Sequence, residues 1–571
     1  MDIFQPEKEA ADSVRANGFY APILPYLVSG MLAFGAAGSF GGLRNFAAEM
    51  FLGSLSLFFL WASLRTFGLC GGARGAALFF VLKIAGTFLL CAAYFYLRVP
   101  SNPYPDFAPR SAVVAARVAE VSTGANGSRY GIAVMEKVPS FLAGAEGRKI
   151  WFTVSDGSKK TPFAPPDIRV SQLAEFDGVV RGVYPEQTRS RGHYSGDEKT
   201  RAFERYLLSR AIYFKISAPR AGAKILSPAR EPFVFFDSVR AYMEKSLSEF
   251  FFKSQEGSEA ADTYAAMILG DKSRLTERQK ESFKDTGTMH VFAISGLHVG
   301  FAAAALYGLM SLFGLNWRIQ PFAALPALLL YVCACGARPS AMRAFGMVAV
   351  VWLALSLGRG LKPFGALMLA AAAALAVSPE NIFDAGFALS YGVVASLFVY
   401  GIPLFEFLRR KFSPAPTGGL SLSASAGRWF FNFAVGGFCI SFGAAVAGAP
   451  LSAHFFSYVS PTAVFYSPIF VLGAGIAVSL GFIGFALPAF AAQFLNSAAA
   501  FVVGLLSDFA QWGDSHAFSA VDFSMPDGFW AAAALAAFLG LSAGLEGRGA
   551  LLRFALAPAA AVCIMLLSQF L

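Results

Sequence analysis

Apolar runs of about 20 residues alternate with short polar segments along most of the chain. A run of this length is enough for a helix to cross the hydrocarbon core of a bilayer. Three runs precede residue 98, at 20–42, 47–68 and 75–97. Ten more follow residue 288, at 289–314, 319–336, 341–358, 363–378, 383–407, 429–450, 461–486, 489–511, 528–545 and 551–570. The pattern predicts a polytopic α-helical membrane protein with about thirteen spans.

A different pattern occupies residues 99–230. Alternating apolar and polar residues, bounded by Gly, Pro and Asp, predict short strands at Val113–Val121, Tyr130–Val138, Ile150–Val154 and Gly178–Val183. Several short strands with turn signals favour a small barrel or sandwich. Five residues of this segment have rings that could stack on the bases of a nucleic acid: Tyr130, Phe152, Tyr184, His193 and Tyr194. Each could equally be an ordinary core residue.

Helical spacing follows the predicted strands. Residues Thr200–Phe214 and Phe233–Phe252 predict helices that lie along the membrane surface or that pack on the barrel as soluble helices. Residues 259–286 continue the helical pattern up to the fourth apolar run. The segment therefore predicts an amphipathic linker between the insert and the membrane part.

Composition and charge agree with this division. Hydrophobic residues make up 56% of the chain and the mean hydropathy is +0.55, which excludes an ordinary soluble protein. The net charge is +10, and residues 99–230 contain 20 basic and 12 acidic residues. A basic insert indicates an acidic partner or a membrane surface. All six cysteines lie in or beside apolar runs, so they predict core packing rather than disulfides.

Basic loops predict the orientation of the spans. An N-terminus in the cytoplasm places four basic loops on the inner side, as the positive-inside rule requires. The insert then lies in the periplasm. Arg338 and Arg343 break the rule, because they fall on the outer side in a short break between two spans.

Polar residues gather where the fourth run begins, at His290, Ser295, Gly296 and His298. Such groups cost several kcal/mol in a membrane unless they are paired or hydrated. On one unbroken helix the two histidines would be about 12 Å apart, too far to share a metal ion. We therefore expect the two histidines to line a polar cavity or to form hydrogen bonds inside the helical bundle. Ser295 could act as a nucleophile only with a general base positioned beside it. No catalytic residue, metal or cofactor is predicted.

Four motifs resemble the ComEC family of competence DNA-uptake proteins. The first runs from Gly270 and Asp271 through the GTMHVFAISGLHVG segment to residue 300, and the second, GARPSAMRA, contains Arg338, Pro339 and Arg343. The third contains Asp384, Gly386, Phe387 and Ser390, and the fourth, PLSAHFF, begins at Pro450. The motifs keep the family's order, so the resemblance covers roughly residues 20–480.

The resemblance implies an inner-membrane channel that carries single-stranded DNA into the cytoplasm during natural transformation. It implies an OB-like barrel at 99–230, between N-terminal helices (1–98) and amphipathic helices (231–288), with the channel domain at 289–571. It also implies a DNA path that includes His290, Ser295, Gly296, His298, Arg338, Arg343, Asp384 and Ser390. Many family members carry a metallo-β-lactamase-like nuclease domain, and its H-x-H-x-D-H cluster is not found in this sequence. A channel without nuclease activity is expected.

Partners follow from the same resemblance. They are single-stranded DNA, the lipid bilayer, a periplasmic DNA receptor, a separate nuclease, a cytoplasmic helicase and a second copy of the chain. For Arg338 and Arg343, two roles stay open: contact with phosphate, which their forked cations suit, or an internal pair with Asp384 or Asp285. A multi-pass secondary transporter or a lipid-handling membrane enzyme is the alternative function. A transporter predicts inverted repeats, and none stands out in the sequence.

Overall fold

The structure is a computed structural model. It describes residues 107–123, 128–155, 168–183, 203, 204, 207, 210, 212–229, 233–292, 296–358, 363–377, 381, 384–412, 422–516, 520–525, 528–545 and 550–569. The described chain divides into two compact units. The smaller unit holds Arg210, 374–377, Asn381 and Asp384, and the larger unit holds the remainder. The first three predicted spans lie outside the described residues.

Five strands of the insert close into a barrel. The six strands of this domain are β1 (Arg110–Thr123), β2 (Arg129–Lys137), β3 (Lys149–Val154), β4 (Leu173–Gly182), β5 (Phe214–Ala218) and β6 (Ala223–Ser227). Their order is β1-β2-β3-β5-β4-β6, and β1 also pairs with β4, which closes the ring. The first half of β1 pairs with β4 and the second half with β2, with register shifts along the β1–β2 pairing. Such shifts let one strand bend far enough to serve two neighbours.

Alternate residues of these strands fill the barrel. Val114, Phe176 and Ile216 are buried from three different strands, as the period of two requires. Phe152 belongs to the same core, since it is fully buried and its ring stacks 4.9 Å from that of Phe176. Phe152 therefore cannot stack on a base, and its core alternative is correct. Tyr184, His193 and Tyr194 lie outside the described residues.

The four predicted strands are confirmed as β1 to β4, whereas β5 and β6 were missed. A helix was predicted over Thr200–Phe214, and Phe203, Glu204 and Leu207 are helical. Phe214 instead begins β5, which runs parallel to β3. The helix prediction is wrong there because Phe214, Ile216 and Ala218 alternate into the barrel core.

Fourteen α-helices are described after the barrel. They are α1 (Phe233–Ser248), α2 (Glu259–Leu269), α3 (Glu277–Asp285), α4 (Gly296–Leu312), α5 (Gln320–Ala334), α6 (Pro339–Ser356), α7 (Pro363–Val377), α8 (Ala385–Ser396), α9 (Ile402–Phe412), α10 (Leu422–Phe456), α11 (Ala463–Gly484), α12 (Ala489–His516), α13 (Gly528–Gly544) and α14 (Ala550–Leu567). A short π-helix, Leu397–Gly401, joins α8 to α9. Strands β7 (Tyr458–Val459) and β8 (Val521–Asp522) form a short antiparallel pair.

Ten apolar helical segments correspond to the ten predicted runs after residue 288. Five are long and apolar enough to cross a bilayer, at Pro339–Ser356, Ala385–Phe412, Gly427–Phe456, Ala463–Gly484 and Ala489–Asp514. The other five are shorter, at Gly296–Leu312, Gln320–Ala334, Phe364–Val377, Trp530–Ala543 and Leu552–Leu567. The chain is therefore a mostly helical membrane protein, while the count of thirteen spans and the orientation stay predictions.

Two boundaries differ from the sequence prediction. Residues 259–286 form two helices rather than one, because Gly270 ends α2 and Thr276 caps α3. The predicted span at 289–314 is also not one helix. Met289–Phe292 is a 3-10 turn, and α4 begins only at Gly296.

Candidate functional site

Helix α2 is the buried centre around which the site is built. Every residue from Thr263 to Leu269 is buried, so this helix lies inside the bundle rather than on an amphipathic surface. The Tyr264 hydroxyl lies 3.1 Å from Oδ1 of Asn496 on α12. The Tyr331 hydroxyl of α5 donates to the carbonyl of Ile268 at 3.0 Å. These contacts position the loop that follows α2.

Gly270 ends α2 and turns the chain toward a charged cluster. Its φ of 69° is left-handed, which favours glycine, and its N–H donates to the Ala266 carbonyl. Asp271 then lies 3.9 Å from both Arg240 of α1 and Arg274. Glu244 completes the cluster, 3.2 Å from Arg240 and 3.6 Å from Arg274. Two anions thus face two cations, and the cluster joins α1 to the loop.

Buried polar contacts hold α3 against α2 and α12. Thr276 and Gln279 form a capping box at the start of α3. The buried Gln279 amide also donates to the hydroxyls of Thr263, at 2.9 Å, and Ser507, at 3.3 Å. Ser282 donates to Asp514 at 3.2 Å. Helix α3 is polar by composition, yet one of its faces is fixed inside the bundle.

His290 is exposed on the 3-10 turn that follows α3. Its Nδ1 lies 3.0 Å from the Gly287 carbonyl, which fixes the ring. Gly287 has a φ of 71°, and a Cβ there would lie 2.6 Å from Cβ of Ala463 on α11. The glycine is therefore required both by its conformation and by the close approach of α11. This presents the His290 ring to the outside of the turn.

The second half of the motif lies on α4. Ser295 lies outside the described residues. Gly296 is the first residue of α4, and a Cβ there would be 3.5 Å from Cβ of Ala344 on α6. His298 is 2% exposed, whereas His290 is exposed. Because the chain does not form one helix across these positions, the 12 Å separation predicted for the two histidines does not apply.

Arg338 lies in an exposed loop at the start of α6. Gly336 and Ala337 have φ values of 89° and 46°, Arg338 is the N-cap, and Pro339 occupies the first turn. Burial, and then the charge of Arg338, lower the pKa of Lys272 below its ordinary value. Arg338 is therefore close enough to Lys272 for their charges to interact, and we call these two basic residues the cationic cluster.

Arg343 has different neighbours from Arg338. The break predicted to contain both arginines ends before Arg343, because α6 begins at Pro339. The Arg343 guanidinium lies over the Tyr391 ring at 5.9 Å from its centroid, and its Nε and Nη2 atoms are buried. Tyr391 also packs on Phe387, with ring centroids 4.6 Å apart. Arg343 thus connects α6 to α8, while Arg338 belongs to the cationic cluster.

Asp384 pairs with a residue that the sequence did not suggest. Its Oδ2 lies 3.3 Å from Nε of Arg210, and both side chains are largely buried. Asp384 therefore has an ion-pair partner in Arg210, and the pairing of Arg338 or Arg343 with an acidic residue stays a prediction. Burial and the neighbouring Asp514 carboxyl raise the pKa of Asp285.

The remaining motif residues lie on two neighbouring helices. Gly386 and Ser390 are half-buried on α8, and Phe387 beside them is fully buried. Pro450 is buried within α10, which packs against α8. These positions place the third and fourth motifs next to each other in the fold.

The comparisons with known proteins concern this same region. A family model described as "Competence protein" matches residues 267–548. Residues 267–548 are a competence protein family domain. All four motifs lie within this domain, so the resemblance seen in the sequence is confirmed.

Two curated proteins are similar to part of the chain. ComE operon protein 3 of Bacillus subtilis (strain 168) is 35% identical over 133 residues, which is 23% of this chain and 17% of that protein. Uncharacterized protein YcaI of Escherichia coli (strain K12) is 31% identical over 137 residues, 23% of this chain and 18% of that protein. The chain thus matches less than a fifth of the length of either relative. No solved structure matches it.

Sequence reasoning missed several residues of the site. Lys272 was not singled out from the sequence as a site residue, and it is half-buried near Arg338. Tyr391 follows Ser390 directly, and its spacing of four from Phe387 was the available signal that both lie on one face of a helix. Arg210 had no signal, because it contacts Asp384 across 174 positions of sequence.

Proposed function

We propose that the chain conducts single-stranded DNA across the bacterial inner membrane during natural competence. The observation that carries the proposal is the match of residues 267–548 to the competence protein family, and within that region the exposed Arg338 lies near Lys272. Like charges repel one another, so an anion bound between Lys272 and Arg338 would relieve their repulsion. A cluster of this kind is expected where an anion binds, and each nucleotide supplies one phosphate anion.

The barrel supports the nucleic-acid part of the proposal. A five-stranded barrel in which β1 pairs with both β2 and β4 has the connectivity expected of an OB-like fold. Such folds bind single strands by phosphate attraction and base stacking. The insert would receive the strand in the periplasm through its basic surface.

One face of the barrel is already occupied by protein. The Tyr130 ring of β2 stacks on that of Trp151 of β3 with centroids 5.7 Å apart, and the Phe203 ring meets Trp151 in a T-shaped contact at 5.1 Å. Ile132 and Leu207 belong to the same small core. OB-folds commonly bind oligonucleotides on strands 2 and 3. Tyr130 and Trp151 are half-buried, so stacking on the described part of that face would be limited and binding would depend mainly on charge.

The experiment is a complementation assay for DNA uptake. A strain that lacks the gene receives the wild-type chain, Arg338→Ala, or Arg318→Ala, and internalised labelled DNA and transformants are counted. Arg318 is the matched control, because it is an exposed arginine that lies over the Trp317 ring outside the cationic cluster. The proposal requires Arg338→Ala to lose uptake at normal membrane abundance while Arg318→Ala keeps it. Full uptake without the gene would refute it.

Further partners are part of the same proposal. A periplasmic receptor would deliver DNA, a separate nuclease would remove one strand, and a cytoplasmic helicase would draw the other strand inward. The chain itself would not cut DNA. Cross-linking in membranes tests whether two copies of the chain associate.

A further inference from the structure

An apolar groove lies between α1 and the neighbouring helices of the bundle. Its volume is about 510 Å³, within the range of roughly 300–1,000 Å³ that small-molecule sites have. Helices α1, α4, α5 and α11 form its walls, with Val239, Leu306, Leu330 and Phe482 among the lining side chains. The volume is far larger than the voids that close-packed interiors leave.

The chemistry of the walls selects an apolar occupant. Only three hydroxyl groups line the groove, those of Ser238, Tyr242 and Tyr331. Each donates to a backbone carbonyl, at 3.0 Å, 3.4 Å and 3.0 Å respectively. No lining hydroxyl thus offers a donor to a guest. Water needs two to four polar partners, so the groove suits neither water nor a sugar, nucleotide or amino acid.

The surroundings of the groove identify the source of that occupant. Phe322 and Leu329 of α5 and Leu472 and Ile476 of α11 are exposed large apolar side chains. In a membrane protein such surfaces face lipid. The groove therefore opens among helices whose outer faces already contact acyl chains.

Helix α1 has the properties of a helix at the membrane surface. Phe233, Phe235 and Tyr242 are 39%, 52% and 56% exposed, and Phe251 and Phe252 after the helix are more than half exposed. Aromatic residues of this kind concentrate where hydrocarbon meets headgroups. Tyr242 ties α1 to the end of α11, so α1 is held over the groove.

We propose that this groove binds one acyl chain of a membrane phospholipid, enclosed by α1 on one side and by α4, α5 and α11 on the other. The headgroup remains at the interface beside α1. The bound chain fills space between α1 and the bundle, so the lipid is a structural ligand that holds α1 against α4 and α5. This inference depends on the membrane location of the helices and not on DNA transport.

The test uses the full chain, purified from membranes in mild detergent. Native mass spectrometry counts phospholipids retained per chain, and phosphatidylethanolamine with a photoreactive diazirine in its acyl chain maps the contacts. Ala305→Trp fills the groove from α4, since Ala305 lines it. Ala304→Trp is the matched control, because the neighbouring Ala304 is exposed and does not line the groove.

The expected result is one retained phospholipid, cross-linked to lining residues of α4 and α11. Ala305→Trp should lower its retention by about tenfold, as expected when two methylene groups of the tail lose burial, and Ala304→Trp should not. Ala327→Trp repeats the test from α5 if Ala305→Trp fails to fold. Three results would overturn the proposal. They are cross-links spread evenly over the exposed helix faces, retention of free fatty acid only, and equal phospholipid retention by Ala305→Trp and Ala304→Trp.

Discussion

Arg343 and Tyr391 offer a test of whether an arginine of the second motif stabilises the fold. The guanidinium lies 5.9 Å from the ring centroid, and two of its nitrogens are buried. A cation over an aromatic ring contributes about 0.5–1 kcal/mol when exposed and about 2 kcal/mol when desolvated. Because Arg343 is half-buried, Arg343→Ala should lower the free energy of unfolding by about 1–2 kcal/mol, including lost packing of the side-chain stem.

The assay is thermal unfolding of the detergent-purified protein for Arg343→Ala, Tyr391→Leu and the double variant. The two single changes should not add, and the coupling should be about 0.5–2 kcal/mol. Arg318 over Trp317 is the control pair. Because Arg318 is exposed, its coupling energy with Trp317 should be about 0.5 kcal/mol or less. A coupling of zero for Arg343 and Tyr391 would refute the structural role and return Arg343 to the DNA path. Arg343→Lys should recover only part of the stability, because the planar cation is lost.

Three further predictions concern charge. Arg210→Ala and Asp384→Ala should each reduce membrane abundance, because either change leaves a buried charge without its ion-pair partner; normal abundance of both variants on immunoblots would contradict this. Burial and the Asp514 carboxyl raise the pKa of Asp285, so the folded state holds its proton more tightly and loses stability as pH rises through that pKa. Asp285→Asn should therefore raise the melting temperature at neutral pH and lose that advantage at acidic pH, and a pH-independent difference would argue against the carboxyl pair. Purified residues 99–230 should bind labelled single-stranded oligonucleotides at low salt and release them as salt rises; binding that ignores salt would exclude phosphate attraction.

Local sequence patterns predicted the helices and strands well where a single buried strand face or a single apolar run determines the element. The alternation through Val113–Val121 and Ile150–Val154 led directly to β1 and β3. The ten apolar runs became ten apolar helical segments, because bilayer-length hydrophobicity is a local property of the sequence. The motif around His290 was also recognised from the sequence alone.

Contacts between distant residues were not predictable in the same way. Phe214 was assigned to a helix because its neighbours have helical spacing, and only pairing with β3 makes it a strand. The end of α2 at Gly270 divided a helical pattern that looked continuous. The Arg343–Tyr391 and Arg210–Asp384 contacts depend on how helices and loops meet, which no window of sequence contains.

The burial of α2 has a consequence for the order in which the protein matures. Tyr264 of α2 meets its partner Asn496 across 232 positions of sequence. At a synthesis rate of about 5–20 residues per second, this partner emerges roughly 10–50 s after Tyr264. During that interval α2 lacks the surface that covers Thr263–Leu269 in the finished fold. A nascent chain stalled before α12 therefore exposes an apolar helix. Chaperones and proteases should recognise this segment before the domain is complete.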